Sequence, residues 1–540
     1  MKTSTLRRTL LATLVVGILW TPGAAQRTRQ APRIGPNVLV IVLDDVGTEK
    51  LEFYGETPPT CPGGPCDPLF NCSAPSNGCV QPYARTPNLD ALRRGGLWFD
   101  KAYAMPVCSA TRAAIQTGRY GTKTGIGNIT STTSQVGDYS LPNSEILLAE
   151  LLRDGFQGAA KRSVGHPYRS GAFGKWHVTA ASPSEYGHAV ANGYERFYGI
   201  IGNVTNHFRF TQVLHDKGSS VLTEKIDGRF TTPPYEVDTY QASLTTRDTL
   251  AWIQAQTGSF MAYVGYGPPH TPVQVPPASL LSQEMQCELA CAGLAPGNIL
   301  NVFTEPPALL KLVYRAQVEA VDAEIGKLLA GIPAGVLENT TIFVIGDNGT
   351  PIFQIDEPPH VANHGKATVF ELGVRVPLIV SSPLIPPPPT NDGWRSSALV
   401  SAADLWLTIA ELTGANAASV KPLALLDSVS FLPVITDPLN TGSRTAIYTQ
   451  TFLPNGVLPL PQPSCYSLNR RAVTDGEYKY IRAQTSVDAA PCGTASYGEA
   501  LYHLPSDPGE VANLISLGLT PDQQQRLQIL SAEMDAHSGN

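Results

Sequence analysis

Asn37-Val38-Leu39-Val40-Ile41-Val42-Leu43 runs unbroken into Asp44-Asp45. The stretch is rich in β-branched residues and does not alternate with polar ones, so neither face is marked for water. Such a segment reads as a central parallel strand covered on both sides. Two later segments repeat the design. Phe260-Met261-Ala262-Tyr263-Val264 leads into Pro268-Pro269-His270-Thr271-Pro272, and Thr341-Ile342-Phe343-Val344-Ile345 ends at Asp347-Asn348-Gly349. Helical spacing of apolar residues separates and flanks these runs, over 88–94, 144–153, 310–329 and 402–412. Buried strands alternating with helices predict an α/β sheet sandwiched by helices. In open sheets of this kind ligands bind beyond the carboxyl ends of the strands. Asp44-Asp45, His270 and Asp347-Asn348 are therefore expected to meet in one site. Each could instead cap the turn that follows it, but three polar strand ends on one side of a sheet favour the shared site.

The proline-rich segment 383–390 is expected to be a surface loop, because helical pattern resumes after it. From about Thr441 the character changes. Tyr448, Arg471-Ala472-Val473 and Tyr478-Lys479-Tyr480-Ile481 suggest short antiparallel strands, with a helix over 521–535 packed on them. The organisation expected is a leader at 1–25, a principal α/β domain at 34–440 and a smaller α+β subdomain at 441–540.

With 540 residues, 42% hydrophobic and only 15% charged, the chain can bury a large core and is not a disordered sequence. Its formal charge of −7, without any Lys/Arg-rich run, argues against nucleic acid as a partner. Lys2, Arg7 and Arg8 precede a short apolar run over 10–20, and Gly23-Ala24-Ala25 offers a cleavage site, the pattern of an export signal. The run is shorter than the roughly 20 residues of a membrane span. Loss of this leader, with its three cations and no acids, takes the formal charge from −7 to −10. The mature chain is thus expected to be secreted, either periplasmic or extracellular, and not membrane-spanning.

Nine cysteines in an exported chain suggest disulfides. Cys61, Cys66, Cys72 and Cys79 cluster, Cys287 and Cys291 form a close pair, and Cys465 and Cys492 a wider one, leaving Cys108 without a local partner. Zinc in the first cluster is disfavoured by the absence of CxxC spacing and companion histidines. Glycosylation sequons occur at Asn71, Asn128, Asn203 and Asn339; the one at Asn348 falls inside the expected site.

Asp44, Asp45, Asp347 and Asn348 are hard oxygen donors, a set that suits calcium, suits magnesium less well and does not suit zinc. Without a cation, three such carboxylates would repel and be partly protonated. A helix beginning near Cys108 in Val107-Cys108-Ser109-Ala110-Thr111-Arg112 places Arg112 one turn on, where it and the helix amides could hold a tetrahedral anion.

Cys108-Ser109-Ala110-Thr111-Arg112 with Thr117-Gly118-Arg119 resembles the signature of the type I (formylglycine-dependent, arylsulfatase-like) sulfatases. The likeness extends through 37–47, Thr86-Pro87-Asn88-Leu89-Asp90, Gly174-Lys175-Trp176-His177, Pro269-His270-Thr271-Pro272 and Asp347-Asn348-Gly349. It continues in Lys366-Ala367-Thr368 with 371–377, and in Asp507-Pro508-Gly509-Glu510 with Asn513-Leu514. It therefore spans nearly the whole mature chain, in the family's order. Ala110 departs from it, standing where the family usually has Pro.

The resemblance implies an alkaline-phosphatase-like mixed sheet sandwiched by helices, with a small C-terminal subdomain. It implies that a maturation enzyme oxidises Cys108 to formylglycine, whose hydrate attacks sulfur. It implies one calcium ion on Asp44, Asp45, Asp347 and Asn348, with the side chain at Cys108 also reaching it. Arg112, Lys175 and Lys366 would offset charge on the sulfate. His270, with Lys366, would protonate the departing alcohol, and His177 would deprotonate the second hydroxyl to expel sulfate. His207 or His364 would line the substrate pocket. The substrate implied is a sulfated small molecule or sulfated carbohydrate. Two rivals stand beside this reading: a phosphodiesterase or phosphonate monoester hydrolase of the same fold, and a catalytically silent sulfatase-like binding protein.

Overall fold

The unalternating run at the start of the chain forms a strand in which every residue is buried, β1 (Asn37–Leu43). Its side chains divide by the two-residue period of a strand. Val38, Val40 and Val42 enter one hydrophobic core, and Leu39, Ile41 and Leu43 enter a second on the opposite face. Burying each such side chain contributes roughly 1.5–3 kcal/mol, which is why neither face could be polar.

The computed structural model describes residues 35–55, 83–131, 139–156, 168–228, 239–356, 360–456, 467–487 and 495–537. The expected leader at 1–25, the Cys61–Cys79 cluster with Asn71, and the Cys465–Cys492 pair lie outside the described residues.

Nine further strands join β1 in the principal sheet: β2 (Leu97–Phe99), β3 (Tyr168–Lys175), β4 (Arg196–Ile200), β5 (Arg209–Asp216), β6 (Leu222–Asp227), β7 (Ser259–Gly265), β8 (Thr340–Gly346), β9 (Leu378–Ser381) and β10 (Trp394–Ser396). Their order is β10-β2-β9-β8-β1-β7-β3-β4-β5-β6. The five central strands β8, β1, β7, β3 and β4 run parallel; the pairs outside them are antiparallel except the edge pair β10–β2, which is parallel. Leu43 lies opposite Gly346, Val42 opposite Gly265, and Gly174 also opposite Gly265. Four carboxyl ends therefore stop at one level, as the shared-site expectation required.

Helices cover both faces: α1 (Pro87–Arg94), α2 (Cys108–Thr117), α3 (Leu148–Asp154), α4 (Gln241–Gln254), α5 (Gln283–Cys291), α6 (Pro307–Gly331) and α7 (Asp404–Thr413). Helices α2, α3 and α7 supply one core, while α4 and α6 supply the other. The helix expected from Ser144 starts only at Leu148, where Glu150 accepts the Leu147 amide at 3.1 Å. Segment 383–390 is a loop, as read from its prolines. At the C-terminal end, β11 (Ile447–Leu453), β12 (Leu468–Thr474), β13 (Tyr478–Val487) and β14 (Ala495–His503) form a separate antiparallel sheet in sequence order. Helix α8 (Pro521–His537) packs on it through Leu530 and Met534. The fold is the α/β class expected, with a mixed sheet between helices and a small antiparallel C-terminal sheet.

The expected Cys287–Cys291 bridge does not form. Cys287 is a buried free thiol, and the disulfide of Cys291 is made with another residue. Both cysteines lie on α5, where residues four apart hold their Cβ atoms about 5–6 Å apart, beyond the roughly 4 Å that a disulfide spans. No helix among the described residues is long and apolar enough to cross a membrane.

Candidate active site

Two sharp backbone turns start the site. Asp45 leaves β1 at φ 62° and His177 follows β3 at φ 53°, left-handed conformations that few residues with a Cβ adopt. Beyond β8, Asp347 accepts the Asp45 amide at 3.2 Å, and Asn348 donates its side-chain amide to Asp45 Oδ1 at 2.8 Å. The two acidic strand ends are thereby tied together. Asp44, Asp347 and Asn348 are fully buried.

Helix α2 brings the other half. Its first residue, Cys108, places Sγ 3.3 Å from His177 Nδ1. Candidate metal-ligating atoms of Cys108, Asp44 and Asp347 lie within 4.8 Å of one another, as do those of Asp44, Asp45 and His270. One turn along α2, Arg112 is held by three contacts beneath the acids. Its Nε and Nη2 meet Asp347 Oδ2 at 2.9 and 2.8 Å, and its Nη1 donates to the Lys175 carbonyl at 2.7 Å. Its Nη2 also lies 3.6 Å from Asp44. Lys175 pairs with Asp44, and Lys366 with Asp45. The ten residues expected to ligate the metal or act in catalysis thus converge on this one edge of the sheet.

Burial first, and the neighbouring charges second, set the protonation of these groups. Burial, reinforced by the charge of Asp44, pushes the Asp347 carboxyl up to about 7. Burial opposes ionisation of Asp44 too, yet Lys175, His270 and Arg112 hold it far below the usual carboxylate range. Burial raises the Cys108 thiol against the pull of Lys175 and Lys366. His177 is driven well below the ordinary imidazole value by burial, then by Lys175 and Arg112. Burial with Lys175 and Lys366 lowers His270 to about 4.

Two oxygens in this cluster, Asp44 Oδ1 and Asn348 Oδ1, are buried and accept no hydrogen bond. A buried oxygen without a donor costs roughly 1–3 kcal/mol. A hard cation would satisfy both at once, so the residues present fit a metal ion.

Several supporting groups had no signal in the sequence. Tyr314, in mid-α6, donates its hydroxyl to the Asp45 carbonyl at 2.7 Å, and the Thr130 carbonyl lies 3.3 Å from His177 Nε2. A Cβ on Gly265 would run into the Lys175 carbonyl and come within 2.6 Å of Arg112 Nη1, so only glycine fits there. His207, a candidate for the pocket lining, is buried, with one ring nitrogen 2.9 Å from Gln241 and the other 3.0 Å from the His270 carbonyl. His364 lies 3.0 Å from the Gly509 carbonyl.

Residues 36–415 match the profile of the family described as Sulfatase. The chain is 26% identical to arylsulfatase A of Bos taurus over 554 residues, covering 96% of this chain and 92% of that one. It is 27% identical to N-acetylgalactosamine-6-sulfatase of Homo sapiens over 424 residues, with 74% and 66% covered. Among solved structures, the PsFucS1 sulfatase from Pseudoalteromonas sp. superposes with a TM-score of 0.63 at 19% identity, over 94% of this chain and 92% of that one, a likeness of fold. The chain belongs to the sulfatase family and is a sulfuric ester hydrolase.

Proposed function

We propose that this sulfatase works through a formylglycine made from Cys108, beside one calcium ion held by Asp44, Asp45, Asp347, Asn348 and the side chain at position 108. The observation that carries the reading is the placement of Cys108 at the start of α2, 3.3 Å from His177 and beside Asp44 and Asp347, in the cluster where Asp44 Oδ1 and Asn348 Oδ1 lack donors. As a buried thiol with a raised pKa, Cys108 is a poor nucleophile in its unmodified form. The formylglycine hydrate would supply the hydroxyl that attacks sulfur, and calcium would draw charge from the sulfate oxygens.

The remaining work falls to side chains of the chain itself. Arg112 fixes the acids from below. Lys175 and Lys366 offset the negative charge of the bound ester. His177 stands at the nucleophile and is suited to take its proton. His270 and Lys366, at 12% and 18% side-chain exposure, are more open than Lys175 at 1%, and so face the departing alcohol. The substrate is a sulfated small molecule or sulfated carbohydrate. Export through the 1–25 leader and action of a formylglycine-generating enzyme on the Cys108 motif complete the reading, with catalysis in 34–440 and the smaller subdomain in 441–540.

Mass measurement of the tryptic peptide Ala102–Arg112, with turnover of an aryl sulfate by wild type and Cys108→Ala, tests it. Aldehyde in place of thiol, and loss of turnover in the variant, are expected. An intact cysteine in every copy would remove the nucleophile and leave the silent binding protein, whereas equal turnover would remove Cys108 from the mechanism.

A further inference from the structure

Among the described residues, four non-glycine positions take positive φ: Asp45, His177, Ala367 and Glu510. The first two lie in the site, and Ala367 (φ 71°) adjoins Lys366. Glu510 (φ 53°) lies far along the chain, after the last strand of the C-terminal sheet. Strain of this kind persists only where the surroundings enforce it, and it concentrates at functional sites. Here Asp507 enforces it. Its carbonyl accepts the Glu510 amide at 3.0 Å, and its carboxylate accepts the amides of Val511 and Ala512 at 3.0 and 2.8 Å.

The turn delivers two adjacent residues to the two ends of one loop. The Gly509 carbonyl meets His364 Nδ1 at 3.0 Å, and Glu510 Oε2 accepts the Glu371 amide at 2.5 Å. Between those ends sits Lys366, whose amide donates to the Thr350 carbonyl at 2.8 Å, while the Ala367 amide donates to the Pro106 carbonyl at 2.8 Å. The loop is thus pressed from one side against the stretches that carry Asp347 and Cys108, and grasped from the other by 509–510. His364 closes it further by stacking on Phe370, with centroids 3.6 Å apart at 7°. Lys479 of β13 supports the grip, at 3.0 Å from Glu371 and 3.4 Å from Glu510.

We propose that Gly509 and Glu510 form a clamp through which the C-terminal subdomain sets the position of Lys366, making Glu510 a positioning residue for sulfate-ester turnover. The inference rests on the proposed reading of the site. Loss of the grip lets Lys366 drift from Asp45 and from the sulfate, without touching any group that contacts substrate.

The test is a cycle of Glu510→Ala and Lys366→Ala in the mature enzyme. Affinity for inorganic sulfate is read by calorimetry, so that it can be measured whether or not turnover survives. Glu510→Ala is expected to weaken sulfate binding and to lower kcat about tenfold or more, and to add nothing in the Lys366→Ala background. Glu510→Gln keeps an acceptor for the Glu371 amide and should restore most of kcat. If Glu510→Ala does not fold, Glu510→Asp withdraws the carboxylate while keeping its charge, and the same cycle applies. Equal losses in both backgrounds, or an unchanged kcat, would overturn the clamp while leaving the sulfatase reading intact. A wild-type enzyme that neither binds sulfate nor turns over sulfate esters would overturn the reading of the site, and the clamp with it.

Discussion

Cys108 Sγ lies 3.3 Å from His177 Nδ1, joining the first turn of α2 to the residue two positions beyond β3. Sixty-nine residues separate the two in sequence. A base in contact with the nucleophile typically contributes on the order of 10²–10⁴ in rate. His177→Ala is therefore expected to lower kcat by that range while leaving KM nearly unchanged. Steady-state kinetics on a chromogenic aryl sulfate would show it, and a variant within threefold of wild type would dismiss His177 as the base.

The unsatisfied oxygens of Asp44 and Asn348 make a second prediction. A ligand that binds only the folded state stabilises it by about 2.7 kcal/mol at a concentration of 100 Kd. Chelation should lower Tm and abolish turnover, and added calcium should restore both where zinc does not. In Asp44→Asn the calcium-dependent rise in Tm should shrink or vanish. A rise of wild-type size in that variant would place the ion elsewhere.

Arg112 has no exposed surface and answers two buried carboxylates. Removing one partner of a buried ion pair leaves an uncompensated charge and costs about 3–5 kcal/mol. Arg112→Met should lose stability in that range by urea denaturation, in addition to losing activity. A stability loss below about 1 kcal/mol would mean that the acids are neutralised by other groups.

A pH effect is expected well away from the site. Asp322 of α6 is buried, and its carboxylate accepts the Asn88 and Leu89 amides at the start of α1, at 3.1 and 2.8 Å. Burial outweighs these bonds and raises its pKa from 3.8 to about 6. The folded chain then holds more protons than the unfolded one between those values, so this residue's contribution to stability falls as pH rises from about 4 to about 6 and is level above that. A shift of about two units corresponds to about 3 kcal/mol. Comparing the pH dependence of wild type with that of Asp322→Asn isolates the effect, and parallel curves would refute it.

Much of this was legible in the chain itself. The unbroken run 38–43 announced a strand buried on both faces, because a strand with one wet face must alternate. The convergence of Asp44-Asp45, Asp347-Asn348 and His270 followed from the rule that places sites beyond parallel strand ends. Helix α2 was readable as the bearer of both Cys108 and Arg112. These are local signals, carried by periodicity and by what stands at the end of each run.

Tertiary structure alone decided the rest. Arg112 is held by Asp347 and the Lys175 carbonyl, where helical spacing placed it on the face of Cys108 as a holder of a tetrahedral anion. Cys287 stays a thiol while its neighbour Cys291 forms its disulfide elsewhere. The grip of Gly509 and Glu510 on the ends of the Lys366 loop joins segments that lie 139 residues apart at Glu371–Glu510. No local pattern encodes such a contact. Sequence by itself determined that the central strands are buried on both faces, which principal helices flank them and what chemistry the strand ends can support. Which of those residues touch, and how each charge is balanced, was settled only when separate segments packed together, because hydrogen bonds and ion pairs act over a few ångströms of space however long the chain between them.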